Sequence, residues 1–369
     1  DSTTASQLTI EATTGNVVLN GLISANAVLG GDASQENDVT IKAAGAITNT
    51  SGNTVAIEQV DSLTLEASGS IGTEAAPITV NSKTITATSS SSGNVYLSNT
   101  PNILTGTTDP VTIESITTSS ATILYKQQGG ALTIGSTAGE TSISSVNGEI
   151  IIDPPTSITL VEDIDAGTGN ITLQATGAIN LTTGDLITDG GTVLVQADTD
   201  LDGSGDITFS AGNSVADTKI RSGSGTIQLE GENIIVADYS AFTTGELKVR
   251  AGVGTSSTGE IYSTSDANDI EDLSSGSFDL EANGAGIGQS GGATLEILST
   301  GLVDAEADGD IHLTNLSTDT FKVGSIDAGT NNVTLVADNG ITDDTGSGSD
   351  ATTDVTGITL TINDGETTS

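Results

Sequence analysis

Apolar and polar positions alternate in short bursts along almost the whole chain. Leu8-Thr9-Ile10, Val39-Thr40-Ile41, Leu63-Thr64-Leu65 and Val111-Thr112-Ile113 begin the series. It continues through Ile171-Thr172-Leu173, Ile227-Gln228-Leu229, Phe278-Asp279-Leu280 and Ile311-His312-Leu313 to Ile358-Thr359-Leu360. A period of two places the aliphatic residues on one face of a short strand and leaves Thr or a charged residue on the other. The helical spacing i, i+3, i+4, i+7 is sustained nowhere, so the pattern predicts an all-β chain.

The bursts recur about every 22 residues, within the range that marks solenoids and repeat arrays. A dipeptide of Gly plus one polar residue often precedes them, as at Gly15-Asn16, Gly93-Asn94, Gly148-Glu149, Gly169-Asn170, Gly205-Asp206 and Gly245-Glu246. Gly tolerates positive φ, so these dipeptides are expected to turn corners. A single coil of short strands cannot bury its own apolar face. Stacked parallel coils can, and they also satisfy the backbone groups between neighbours about 4.8 Å apart. The reading is a parallel β-helix, or β-solenoid, of roughly 17 coils, treated as one elongated domain over residues 1–369. Irregular excursions are expected near 252–269 and 340–356, and Asp153-Pro154-Pro155 is expected to break a strand locally. Tandem β-sandwich modules are the competing architecture. They would show about seven strands per ~100 residues and an aromatic-filled core. The chain has only 2% aromatic residues and no Trp.

Composition narrows the function classes. Eight Lys and Arg against 49 Asp and Glu give a formal charge of -41. Phosphate contacts need a basic surface, so no nucleic-acid partner is expected. No run of ~18 apolar residues exists, so no membrane insertion is expected. Without Cys there is no disulfide framework, thiol nucleophile or thiolate metal site.

The phrase Gly-Asn/Asp-Ile-Thr-Leu-x-Ala-x-Gly-x-Ile is cleanest at Gly169 to Ile179, GNITLQATGAI. It resembles the repeats of large secreted bacterial adhesins of the filamentous-haemagglutinin type, and the likeness extends over about residues 7–362. That resemblance implies a right-handed parallel β-helix, export by a two-partner or autotransporter route, and an extracellular, cell-surface location. The expected function is a non-catalytic structural or adhesive stalk. Its expected partners are further copies of itself end to end in a fibre, or host, cell-surface or matrix glycans.

Candidate chemistry is sparse, and no cofactor is required. Asp198-Thr199-Asp200-Leu201-Asp202-Gly203-Ser204-Gly205-Asp206 spaces carboxylates at alternate positions before a Gly turn, the way a compact loop collects oxygens for calcium. Asp198, Asp200, Asp202 and Asp206 are therefore the candidate calcium ligands. Phe209 stands where an EF-type loop would carry its bidentate Glu. Asp304-Ala305-Glu306-Ala307-Asp308-Gly309-Asp310 is a weaker relative. A calcium-stiffened surface-layer module is thus one alternative function.

The other alternative is a carbohydrate-binding or carbohydrate-cleaving β-helix. It would need Tyr96, Tyr125, Tyr239 and Tyr262 on one face, or a cation pair such as Lys219 with Arg221 or Lys248 with Arg250. The expectation for those cations is pairing with the excess acid. The lone His312 is expected to face solvent.

Overall fold

A computed structural model describes residues 6–24, 37–50, 56–101, 110–136, 140–211, 218–253, 258–264, 270–288, 294–343, 355–357 and 359–363. Among them there is no helix, and every named strand pairing is parallel. The fold is a right-handed parallel β-helix. The chain divides into two compact units, Asp1–Ala175 and Thr176–Ser369.

In the first unit, Leu8, Val39, Leu63, Ile85, Ile113, Ile134 and Leu160 follow one another as register partners, one per coil. In the second unit the same role falls to Ile179, Ile207, Ile234, Ile261, Ile287, Ile311, Val333 and Leu360. These are seven and eight levels, close to the roughly 17 coils expected. A lap is therefore somewhat longer than the motif spacing suggests. The apolar-x-apolar burst occurs on more than one side of each coil. Ile158-Thr159-Leu160 and Ile171-Thr172-Leu173 lie on different sides of their unit, pairing back to Leu132–Ile134 and Ile150–Ile152 respectively.

Each lap carries up to three short strands, as in Ile220–Arg221, Ile227–Gly231 and Ile234–Val236. Their inward residues form three aliphatic columns. In the second unit the other two columns run Val193, Ile227, Leu247, Phe278, Val303 and Leu186, Ile220, Ala241, Leu273, Ile297. Nearly all of these side chains are fully buried. Each fully buried Ile or Leu contributes about 1.5–3 kcal/mol relative to exposure, so the columns supply most of the stabilisation. β-Branched Ile and Val stack well on the pleated inner surface, and Thr occupies many of the outward positions between them.

The corner glycines work differently from the expectation. Of the Gly-polar corners at 15, 93, 148, 169, 205 and 245, only Gly15 has positive φ. Gly93, Gly148, Gly169 and Gly245 need Gly because coils pass too closely for a side chain, and Gly205 because its own loop folds back on it at Asp198. Gly15, Gly45, Gly69 and Gly93 stack in the first unit, with Gly45 N–H donating to the Gly15 carbonyl at 2.7 Å and Gly69 N–H to Gly45 at 2.9 Å. A Cβ on Gly93 would collide with the Gly69 backbone. Gly191, Gly225, Gly245, Gly276 and Gly301 repeat the arrangement in the second unit.

At several corners the polar residue after the Gly ties its corner to the next coil. Asn16 Oδ1 accepts from Ala46 N–H at 2.8 Å, Asn94 Oδ1 from Thr122 N–H at 3.1 Å, and Asp310 Oδ1 from Asn332 N–H at 2.8 Å.

Asp153-Pro154-Pro155 does end a strand, at Ile150–Asp153, and the next begins at Ser157. The 252–269 stretch is less irregular than expected, because Gly259–Ser263 is a strand paired to Ile234–Val236. Residues 254–257 and 265–269 lie outside the described residues, as does most of the second expected excursion, 344–354.

Candidate functional site

The loop after the strand Val193–Gln196 holds three of the four candidate calcium ligands together. Carboxylate oxygens of Asp198, Asp200 and Asp202 all lie within 4.8 Å of one another. Asp198 and Leu201 adopt positive φ, at 54° and 58°, as does Gly203 at 81°, which curls the loop back on itself. Asp198 is buried, and its Oδ1 and Oδ2 accept from the N–H groups of Asp202 at 3.0 Å and Gly203 at 3.2 Å. Burial raises the Asp198 carboxyl above its ordinary range. The backbone donors of Gly203, Asp202 and Ser204 oppose that shift, and the neighbouring Asp202 charge adds to it. Asp200 and Asp202 are exposed.

Asp206 does something else. Its Oδ1 accepts from Asn233 N–H at 3.2 Å and Nδ2 at 2.8 Å, and Asn233 Oδ1 in turn accepts from Glu260 N–H at 3.1 Å. It is a corner tie between coils, like Asn16 and Asp310. The loop therefore offers two exposed carboxylates and one anchored one to a hard cation, with Asp206 engaged elsewhere.

The weaker acidic stretch is largely strand, Leu302–Ala307, and its acids are dispersed. Asp304 Oδ1 accepts from Ser325 N–H, Asp308 Oδ2 from Gly284 N–H and Asp310 Oδ1 from Asn332 N–H. Register makes a groove there that the linear sequence does not display. Asp279 pairs with Asp304, and Glu281 with Glu306, which pairs with Asp327. With Ser325 they line a cleft of about 160 Å³. Like charges on adjacent strands repel, so this face is open to cations and hostile to acidic sugars. A larger groove of about 570 Å³ in the first unit is lined by Glu11, Lys42, Glu66 and Thr88 among others.

Seven of the eight basic residues lie against acids. Lys42 meets Glu66 at 2.9 Å, Lys83 meets Asp61 at 2.9 Å, and Lys126 meets Asp153 at 3.5 Å. Lys248 lies between Glu246 and Asp279, and Arg250 between Glu230 and Glu281. Lys219 and Arg221 both hold Asp185, at 3.5 and 3.3 Å, and the Lys219 and Asp185 side chains are only 4% and 9% exposed.

His312 departs from expectation. Its side chain is 12% exposed, 3.8 Å from Asp310, with Nε2 buried and not hydrogen-bonded. The tyrosines do not line one face. Tyr125 is in the core of the first unit, fully buried, and Tyr239 sits at a corner of the second with φ 57°.

Sequence reasoning missed the polar interior of the first unit. Asn99, Tyr125 and Gln127 point inward, and Asn99 and Gln127 are register partners on adjacent coils. Asn99 accepts from Ser82 N–H and donates to the Ser82 carbonyl, both at 3.1 Å. It also donates to Tyr125 Oη at 3.3 Å. Tyr125 donates to Gln127 Oε1 at 2.8 Å. Gln127 Nε2 closes the network on the carbonyls of Gly129, Gly130 and Ala131.

Among the described residues no helix is long and apolar enough to cross a membrane. The chain matches no family model, no curated protein and no solved structure.

Proposed function

We propose that this chain is a non-catalytic structural or adhesive stalk segment of an exported, extracellular or cell-surface protein. The observation that carries the reading is the continuity of the aliphatic columns through the described levels of each unit, which persists across local register shifts. Such a scaffold is cheap to lengthen, because every added coil buries the apolar face of the one before it. Two further features support it. Seven of the eight basic residues are held in ion pairs, and Tyr125, one of four tyrosines that a glycan surface would use, is sealed in the core. The likeness of Gly169 to Ile179 to filamentous-haemagglutinin-type repeats points the same way. In this reading the partners are further copies end to end, or surface and matrix glycans.

Solution scattering tests the proposal. A stalk requires a particle several times longer than wide, and a spherical one overturns the reading. Incubation with a panel of glycans tests the absence of catalysis, and any released sugar product overturns it.

The carboxylates of Asp198, Asp200 and Asp202 favour a second reading, a calcium-stiffened surface module. Millimolar calcium would then slow hydrogen exchange over residues 197–206, and Asp200→Asn would abolish the effect. Unchanged exchange removes this reading and leaves the stalk intact.

A further inference from the structure

The second unit buries a carboxylate that no cation accompanies. Asp272 precedes the strand Leu273–Ser275 and is 1% exposed. Its backbone is clamped on both sides: Ser240 N–H donates to the Asp272 carbonyl, and Asp272 N–H donates to the Glu296 carbonyl, each at 2.8 Å. The side chain has one donor per oxygen. Ser263 Oγ reaches Oδ1 at 2.7 Å and Glu296 N–H reaches Oδ2 at 3.0 Å. An ionised carboxylate has room for about four such bonds, so two are too few to replace its lost hydration.

The charged surroundings are all of one sign. Asp238 bears on Asp272 from the preceding coil, and its own Oδ1 is buried without a hydrogen-bond partner. Glu296 bears on it from the following coil. Glu271 adjoins it in the chain and meets the preceding coil through a bond from Tyr239 N–H to the Glu271 carbonyl. Lys219 is one coil further away, where its N–H donates to the Tyr239 carbonyl and its ammonium is held by Asp185.

We propose that Asp272 is a proton-operated latch in the wall of the second unit, closed when the carboxyl is neutral and loosened when it is charged. Burial pushes the group up to about 7. The bonds from Glu296 N–H and Ser263 oppose the shift, and the Glu296 and Asp238 charges reinforce it. A carboxyl raised in the folded state contributes stability that is complete below its ordinary value near 3.8 and is lost as pH rises through about 7. Between pH 5.5 and 8.5 the local folding constant should therefore fall by about 30-fold. The coils joined at Ser240, Asp272 and Glu296 should open together.

Hydrogen exchange of the full chain, resolved by peptide and corrected for the intrinsic pH dependence of exchange, tests the latch. Residues 234–242, 259–264, 270–275 and 294–299 should lose about 30-fold protection between pH 5.5 and 8.5. Asp272→Asn, neutral at both pH values, should abolish that loss, and Asp238→Asn should reduce it. An undiminished loss in Asp272→Asn overturns the proposal. A carboxyl ¹³C titration of the unmodified protein decides the matter independently of how either variant folds. A midpoint near 7 for Asp272 supports the latch, and one near 4 overturns it.

Discussion

The two units solve the same packing problem with different buried polar groups. In the first, Asn99, Tyr125 and Gln127 form a neutral cluster in which each polar end finds a partner, while the buried Glu162 carboxylate accepts from Ser136 N–H at 2.9 Å. In the second, Asp185 is shared by Lys219 and Arg221, and Asp272 has two donors and two acidic neighbours. Asn315 accepts from Ser299 and Ser317 N–H, yet its buried Nδ2 has no partner. Amide and phenol groups can be stacked in a narrow aliphatic interior without regard to pH. Buried carboxylates make the same geometry conditional on protonation and on intact ion pairs.

The sharpest way to break this contrast is Asp185→Ala. It removes the carboxylate 3.5 Å from the buried Lys219 ammonium, and should cost about 3–5 kcal/mol, read as lost exchange protection around Leu186, Ile220 and Ala241. Replacing the pair together, as Asp185→Leu with Lys219→Met, should recover most of that loss. If the single change were harmless, the buried pair would not be structural. Next in size is Asn99→Ala, which strands the Ser82 N–H and carbonyl and removes one donor from the Tyr125 hydroxyl. Thermal or denaturant unfolding should show a loss of about 2–3 kcal/mol, together with faster exchange at Ser82 and Gln127. The smallest expected effect is none. Burial raises the Tyr125 phenol far above its ordinary value. Any stability linked to it is lost only in strongly alkaline solution, so corrected exchange around residues 95–134 should be unchanged between pH 5.5 and 8.5. A loss there matching that of the second unit would erase the contrast.

Strand positions and inward aliphatics were legible along most of the chain, because period two and β-branched residues report a half-buried pleated surface directly. The Gly-polar corners were legible as corners, but their physics was not. Positive φ is a property of one residue, whereas the crowding at Gly93 comes from Gly69 a whole lap earlier. Register was the missing information throughout. It separates Ile158-Thr159-Leu160 from Ile171-Thr172-Leu173, turns Asp206 toward Asn233, and assembles Asp279, Glu281, Asp304, Glu306 and Asp327 into one groove. The inward turn of Asn99 and Asp272 was hidden for a related reason. A polar residue beside an aliphatic one looks the same whether it faces solvent or core, until the neighbouring coil supplies its donors.

The glycine stack has a consequence for how such a chain changes over generations. Between Gly225 and Gly245 the chain travels 20 positions, and between Gly245 and Gly276 it travels 31, yet both journeys return to the same seam. Journey length is thus free while the point of return is fixed. A duplication or deletion cut from seam to seam inserts or removes a whole layer and leaves every neighbour correctly matched. A cut of arbitrary length would bring a bulky side chain to the seam and displace the layers on both sides. Growth in this architecture is quantised by geometry, and the glycines mark where the quanta meet.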